Sequence, residues 1–246
     1  LGSLLVALLA VTVNGAPTAM TLQSRRLTSE PKWLNPCGFA AEEFDQDLDV
    51  MQLTDEILLG NVVMQAKNAL HHANSFRDEY IKRTFGSDFG PHHLLWRGNH
   101  YEWLPSSKQI PKSLGEQLDQ EFLDKLEVRM IDTALLDAYE YMQRYAVGLE
   151  QIVWDQDDHK LRYLDKFSHS ENLLRSVLCE LQMALAERGV TPRADVTRDI
   201  MPQEYRDMSD SATYRNLRDW LIFRDYMNGL EFIIQVFEHL VRGIQS

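Results

Sequence analysis

Apolar residues recur at three- and four-residue steps through four stretches of this chain, roughly 51–85, 114–154, 160–188 and 211–243, with charged residues between them. That period marks an amphipathic helix. In the first stretch, segment A, the stripe runs Leu59, Val62, Val63, Ala66, Leu70, Ala73, Phe76, Tyr80 and Ile81. A start signal at Thr54 precedes it, followed by Asp55 and Glu56, acids that suit the positive end of a helix dipole. Segment B carries Leu118, Phe122 and Leu126, then Ile131, Leu135, Ala138, Met142, Tyr145, Leu149 and Ile152. Their repeat is close to that of nearly aligned helices crossing at about 20°. Segment C carries Phe167, Leu174, Leu178, Leu181 and Leu185 and stops at Gly189 and Pro192; segment D carries Trp220, Phe223, Met227, Leu230, Ile234, Phe237 and Val241. No stretch alternates apolar and polar residues long enough for a sheet, so the fold class is all-α.

The connections are ordered long, short, long. About 86–113 joins A to B, the acidic turn Asp155-Gln156-Asp157-Asp158 joins B to C, and about 189–210 joins C to D. A helix of about 30 residues is about 45 Å long. The outer connections reach about 85 and 70 Å, whereas the short turn reaches barely about 15 Å. Segments B and C must therefore be antiparallel, while the outer loops permit parallel neighbours; compact domains seldom carry such loops without need. The predicted architecture over 51–246 is an up-up-down-down four-helix bundle with two long crossover loops. The first loop is aromatic, with Phe85, Phe89, Trp96, Tyr101 and Trp103, and is expected to pack over the helices, because exposing so much apolar area is costly. In the second, Met201-Pro202 is expected to begin a short turn.

Leu4 to Val13 is an uncharged apolar run ending at Asn14-Gly15-Ala16-Pro17. It reads as a secretory signal peptide over 1–15, cut at about Gly15/Ala16; the alternative is a buried N-terminal helix. Because the chain starts at Leu1, part of a basic leader is expected upstream. The run is shorter than the about 20 residues that span a bilayer. Residues 16–50 read as a partly flexible lead-in with Pro31, Pro36 and an acidic run from Glu42 to Asp49. Arg25-Arg26 is either a dibasic processing site or two solvated arginines. In an oxidising compartment Cys37 and Cys179 are expected to pair, the alternative being two free thiols. No Asn-x-Ser/Thr sequon occurs, so N-glycosylation is not expected. A net charge of −12 argues against nucleic acid, anionic membranes and strong heparin binding as partners.

Chemistry is hard to find. The histidine pairs His71-His72 and His92-His93 are adjacent, and adjacent helical residues point about 100° apart, so neither pair shares a face for one metal. His-Glu-x-x-His and Glu-x-x-His arrangements are missing, as are a Gly-x-Ser-x-Gly elbow and a phosphate-cradling glycine loop. No enzyme activity, metal or cofactor is expected. Near the start of segment D stand Tyr214, Arg215, Arg218, Trp220 and Arg224, residue types that make binding hot spots. Trp220 suits the core. Tyr214 and Arg218 lie four apart, either an aromatic anchor beside a cation or an exposed pair with no partner.

Three local sequences resemble a known family. Ser75-Phe76-Arg77-Asp78-Glu79-Tyr80-Ile81-Lys82 followed by Phe85-Gly86 is similar to the end of the first helix of ciliary neurotrophic factor and cardiotrophin-like cytokines. Leu135 to Tyr145 (LLDAYEYMQRY) resembles the centre of their second helix, and Trp220 to Tyr226 (WLIFRDY) resembles their fourth. The resemblance covers about 190 residues. It implies a long-chain cytokine of the interleukin-6 superfamily, or of the Unpaired type in an invertebrate. Such a ligand, monomeric before binding, brings together receptor chains of the gp130-like class and activates JAK-STAT signalling. One surface would combine the end of the first long loop with the C-terminal part of segment D, for which Trp103 and Arg242 are nominated. A second would lie on A and C. A third would lie at the start of D, at Tyr214, Arg215 and Arg218. There the sequence departs from the aromatic and lysine that members binding a LIF-type receptor place three residues apart, because Leu217 stands at that spacing after Tyr214. The alternative from another class is a secreted helical carrier of a lipid or other apolar small molecule.

Overall fold

The computed structural model describes residues 22–38 and 53–245. The stretch assigned to a signal peptide and the acidic run at 42–49 lie outside the described residues. The chain divides into two units, 1–30 and 31–246. In the first, a short helix α1 (Leu22–Thr28) closes with the Thr28 hydroxyl donating to the Ser24 carbonyl at 2.9 Å. Arg25 and Arg26 sit in its last turn, so the dibasic pair is helical where a flexible tail was expected.

In the second unit every regular element is a helix, and no strand occurs among the described residues: α2 (Asp55–Phe85), α3 (Phe89–Trp96), α4 (Gln120–Asp124), α5 (Ile131–Asp158), α6 (Leu164–Glu187), α7 (Gln203–Asp207) and α8 (Ala212–Gln245). Both ends of α2 follow from its sequence. Thr54 is extended, and its side chain accepts the Ile57 N–H at 3.4 Å, with Asp55 and Glu56 in the first turn. At the other end Gly86 takes φ 67°, a left-handed conformation that costs glycine little, and returns its N–H to the Lys82 carbonyl.

Segment B departs from the sequence expectation at both ends. Residues 114–130 do not continue a long helix; they hold only α4 and a 3₁₀ turn at Val128–Met130. Two of their backbone donors go to α8 side chains instead. The Gly115 N–H, with Gly115 at φ 85°, bonds Glu231 Oε2 at 2.8 Å, and the Leu118 N–H bonds Gln235 Oε1 at 2.6 Å. At the far end Asp155 to Asp158 form no turn but the last turn of α5. Asp155 and Gln156 are buried with partners of their own, and the reversal falls at 159–163, where the Tyr163 N–H bonds Gln156 Oε1 at 3.1 Å. The aromatic connection packs down as expected but carries α3, which the periodicity did not predict. Met201-Pro202 does lead into a short helix, α7.

The long helices α2 and α5 each pack against both α6 and α8. From the start to the end of α2, its partners on α8 run backwards: Glu56 meets Gln245, Lys67 pairs with Glu238 at 2.6 Å, and Phe76 stacks on Phe223 at 5.0 Å. Along α5, Tyr141 faces Phe232 at 6.5 Å, Tyr145 faces Tyr226 at 6.3 Å and Asp155 pairs with Arg218. Arg188, at the end of α6, bridges Asp55 and Asp132 at the starts of α2 and α5. Residues 31–38 are fixed to this unit by the disulfide between Cys37 and Cys179, by Lys32 against Glu171 at 2.6 Å, and by the buried Trp33, whose indole N–H reaches the Val196 carbonyl at 2.7 Å.

Two helical glycines sit where helices approach closely. A Cβ on Gly148 would stand 2.5 Å from Ile222 Cγ2, and one on Gly229 would stand 2.4 Å from the Tyr145 ring. Gly60, by contrast, has no atom within 4 Å of its would-be Cβ. Alanine should therefore act with opposite signs. We expect Gly148→Ala to destabilise by about 1–3 kcal/mol through overpacking and Gly60→Ala to stabilise by about 0.5–1 kcal/mol through helix propensity, both read as shifts in the urea midpoint.

Candidate functional site

The start of α8 is built around one buried cation. Arg218 is 0 % exposed, and its guanidinium meets Asp155 on α5 and Asp219 on its own helix, the latter at 3.0 Å through Nε and 2.6 Å through Nη2. Nη1 donates to the Tyr205 carbonyl at 2.8 Å. A second guanidinium extends the network: Arg206 donates to Gln151 Oε1 at 3.0 Å and to the Arg198 carbonyl at 2.6 Å. A third, Arg198, holds Glu150 in a two-pronged pair at 2.6 and 2.8 Å, the planar match that favours arginine over lysine. The long connection before α8 is thereby fastened to α5. Burial drives the Asp219 carboxyl up to about 6; Arg218 pulls it down, and the second carboxylate, Asp155, adds to the rise.

These partners revise the predicted contact residues. Tyr214 is exposed at 64 %, but Arg218 is enclosed, so the two do not form an aromatic-cation face; Arg218 is held inside because two carboxylates and a carbonyl satisfy it there. Arg215 is also buried, donating to the Ser209 carbonyl at 2.7 Å. Trp220 is core. Arg224 is buried too, capping the carbonyls of Trp96 and Asn99 at 2.6 and 2.5 Å. Trp103 is 5 % exposed and wedged by Gly148 and Ile222, whereas Arg242 is exposed near the end of α8. About 30 Å of helix rise separates positions 222 and 242, so Trp103 and Arg242 do not share a surface.

What does meet the C-terminal half of α8 is the end of the first long connection. Lys112 Nζ lies 2.7 Å from Asn228 Oδ1 and 2.6 Å from Glu231 Oε2, and burial lowers its ammonium pKa against the pull of Glu231. Beyond it, Phe122 packs on Phe232 with centroids 6.2 Å apart. Between these residues and the first half of α5 lies a groove of about 280 Å³, open to solvent. Phe122, Leu126, Ala134, Tyr141, Phe232 and Val236 line it, with Lys108, Gln109, Thr133 and Asp137 as polar members. Burial pushes the Tyr141 phenol up to about 12. The groove is apolar with a few oriented polar groups, the composition of a docking surface. The periodic signal at Leu118, Phe122 and Leu126 was visible in the sequence, yet it read as a helix rather than as one wall of a groove.

No family model matches this chain, and no curated protein or solved structure matches it either. Among the described residues no group of three or more His, Cys, Asp and Glu side chains is placed to hold a metal ion, and no helix is long and apolar enough to cross a membrane.

The raised Asp219 has a definite sign. Its proton is bound more tightly folded than unfolded, so its contribution to stability is complete below about 4 and lost as pH rises through about 6. Asn at this position mimics the protonated acid. The stability of the natural chain relative to Asp219→Asn should therefore increase as pH falls from 7 to 4, by on the order of 2 kcal/mol, in paired urea titrations; a constant difference would show that Asp219 does not titrate in this window.

Proposed function

We propose that this chain is a secreted, non-enzymatic cytokine ligand whose fold is an up-up-down-down bundle of α2, α5, α6 and α8 with two long crossover connections. The observation that carries the reading is the ring of helix contacts. Each of α2 and α5 touches α6 and α8, and in each pair residue numbers rise on one helix as they fall on the other. With α2 and α5 both opposite to α6 and α8, these contacts support an up, up, down, down order, the topology of long-chain cytokines. The resemblance to interleukin-6 superfamily cytokines at the end of α2, the middle of α5 and α8 agrees with it. Secretion is supported by the apolar run at Leu4 to Val13 and by the disulfide.

On this reading the protein brings receptor chains of the gp130-like class together through separate faces and thereby activates JAK-STAT signalling. The groove between Phe122, Tyr141 and Phe232 takes the role for which Trp103 and Arg242 were nominated, because it is where the end of the first connection meets the C-terminal half of α8. Tyr214 supplies the exposed aromatic at the start of α8. A carrier of lipid would need an enclosed apolar chamber, and the groove opens to solvent.

Purified protein applied to cells of its own source should raise STAT phosphorylation, and a chain that captures no receptor ectodomain and leaves STAT unphosphorylated would sink the reading. A stoichiometric lipid in native mass spectra would favour the carrier. Thr133 is exposed at the groove, so Thr133→Arg should weaken receptor capture by about tenfold or more, the loss of one well-placed contact, with an unchanged melting temperature.

A further inference from the structure

At the end of the second unit where α2 finishes, α5 turns into α6 and α8 begins, a cavity of about 350 Å³ opens to solvent. Arg83, Arg162 and Arg215 line it, and no carboxylate does. On a chain of net charge −12 this is a local inversion of sign.

Two of its side chains are buried with donors unused. Arg215 is 6 % exposed; Nη1 bonds the Ser209 carbonyl, but Nε has no partner, and among the described residues no carboxylate forms an ion pair with it. Tyr163 is 8 % exposed, and its hydroxyl is likewise without a partner. Buried polar groups are nearly always bonded, and buried charges are paired. Both residues line the cavity, so Arg215 brings a buried charge without a carboxylate partner to its wall. Arg162 is exposed and makes no ion pair among the described residues, so it is free to turn inward. Arg83 is tied to Glu79 at 2.7 Å in an exposed pair, which is weak in water and readily exchanged. Asp219 feels the charge of Arg215, but it is already bonded to Arg218.

We propose that this cavity is an oxyanion site that takes a sulfate or phosphate group, held by Arg215, Arg162 and the Tyr163 hydroxyl, with Arg83 closing over it. Guanidinium groups and a phenol match the acceptor oxygens of such a group through charge-assisted hydrogen bonds. A phenol is protonated at neutral pH, and burial raises the Tyr163 group further, so it carries a proton to donate. The volume exceeds that of the anion, leaving room for several waters or for the remainder of a sulfate or phosphate ester. The site stands apart from the groove along α8 and does not rest on the cytokine reading.

The test uses the purified full chain titrated with inorganic phosphate and with sulfate at constant ionic strength set by chloride. Binding should appear as a saturable rise in melting temperature and as broadening of the phosphate ³¹P resonance. Arg162→Gln, at an exposed position that folding does not need, should weaken affinity at least tenfold, and Tyr163→Phe severalfold. Arg215→Lys, which keeps the charge but loses Nε, should also weaken it. Phenyl phosphate binding within a few fold of inorganic phosphate would assign the site to an esterified group, and its exclusion would assign it to the free ion; both require the site. A rise that is linear in anion concentration, or equal in the natural chain and Arg162→Gln, would overturn the proposal.

Discussion

The enclosure of Arg218 is the constraint on which the rest of the second unit depends. A guanidinium with no exposure must find anions and carbonyls inside the protein, and one partner removed from such a buried pair typically costs about 3–5 kcal/mol. Its demands reach three elements at once. Asp155 must stay helical and inward-facing, so α5 continues through what the sequence marks as a turn. The Tyr205 carbonyl must come to Nη1, so the long connection before α8 lies against α5 rather than arching away. Asp219 must share the cation with Asp155, which places a carboxyl of raised pKa in the core.

That arrangement separates what is rigid from what is presented. Arg198, Arg206 and Arg224, which by composition suit a binding surface, serve instead as internal fasteners for the two long connections. Such networks contribute little net stability, since apolar replacements of similar shape are often as stable. The apolar core supplies the stability: Phe76, Phe167 and Phe223 meet edge and face at 5.0 to 5.4 Å, and Trp220 is wholly enclosed. Among what remains outward are Tyr214, the groove along α8 and the arginine-lined cavity at the end of α2.

The sequence determined the four long helices in outline and left both the bounds of the second and the directions of its polar side chains open. Helical periodicity, the Thr54 and Gly86 caps and the order of long and short connections follow from local spacing, capping chemistry and chain reach, which act within a few residues or set plain geometric limits. Whether an arginine faces water or the core does not. Tyr214 and Arg218 have the same helical spacing in either case, and partners that include Asp155, sixty-three residues earlier, hold one inward while the other stays exposed. Segment 114–130 has a helical pattern too, but Glu231 and Gln235 compete for its backbone donors, and those acceptors arrive from the far end of the chain. Local propensity is worth a few tenths of a kcal/mol per residue. Leaving a buried charge without its partner costs several, so tertiary structure decided wherever the two disagreed.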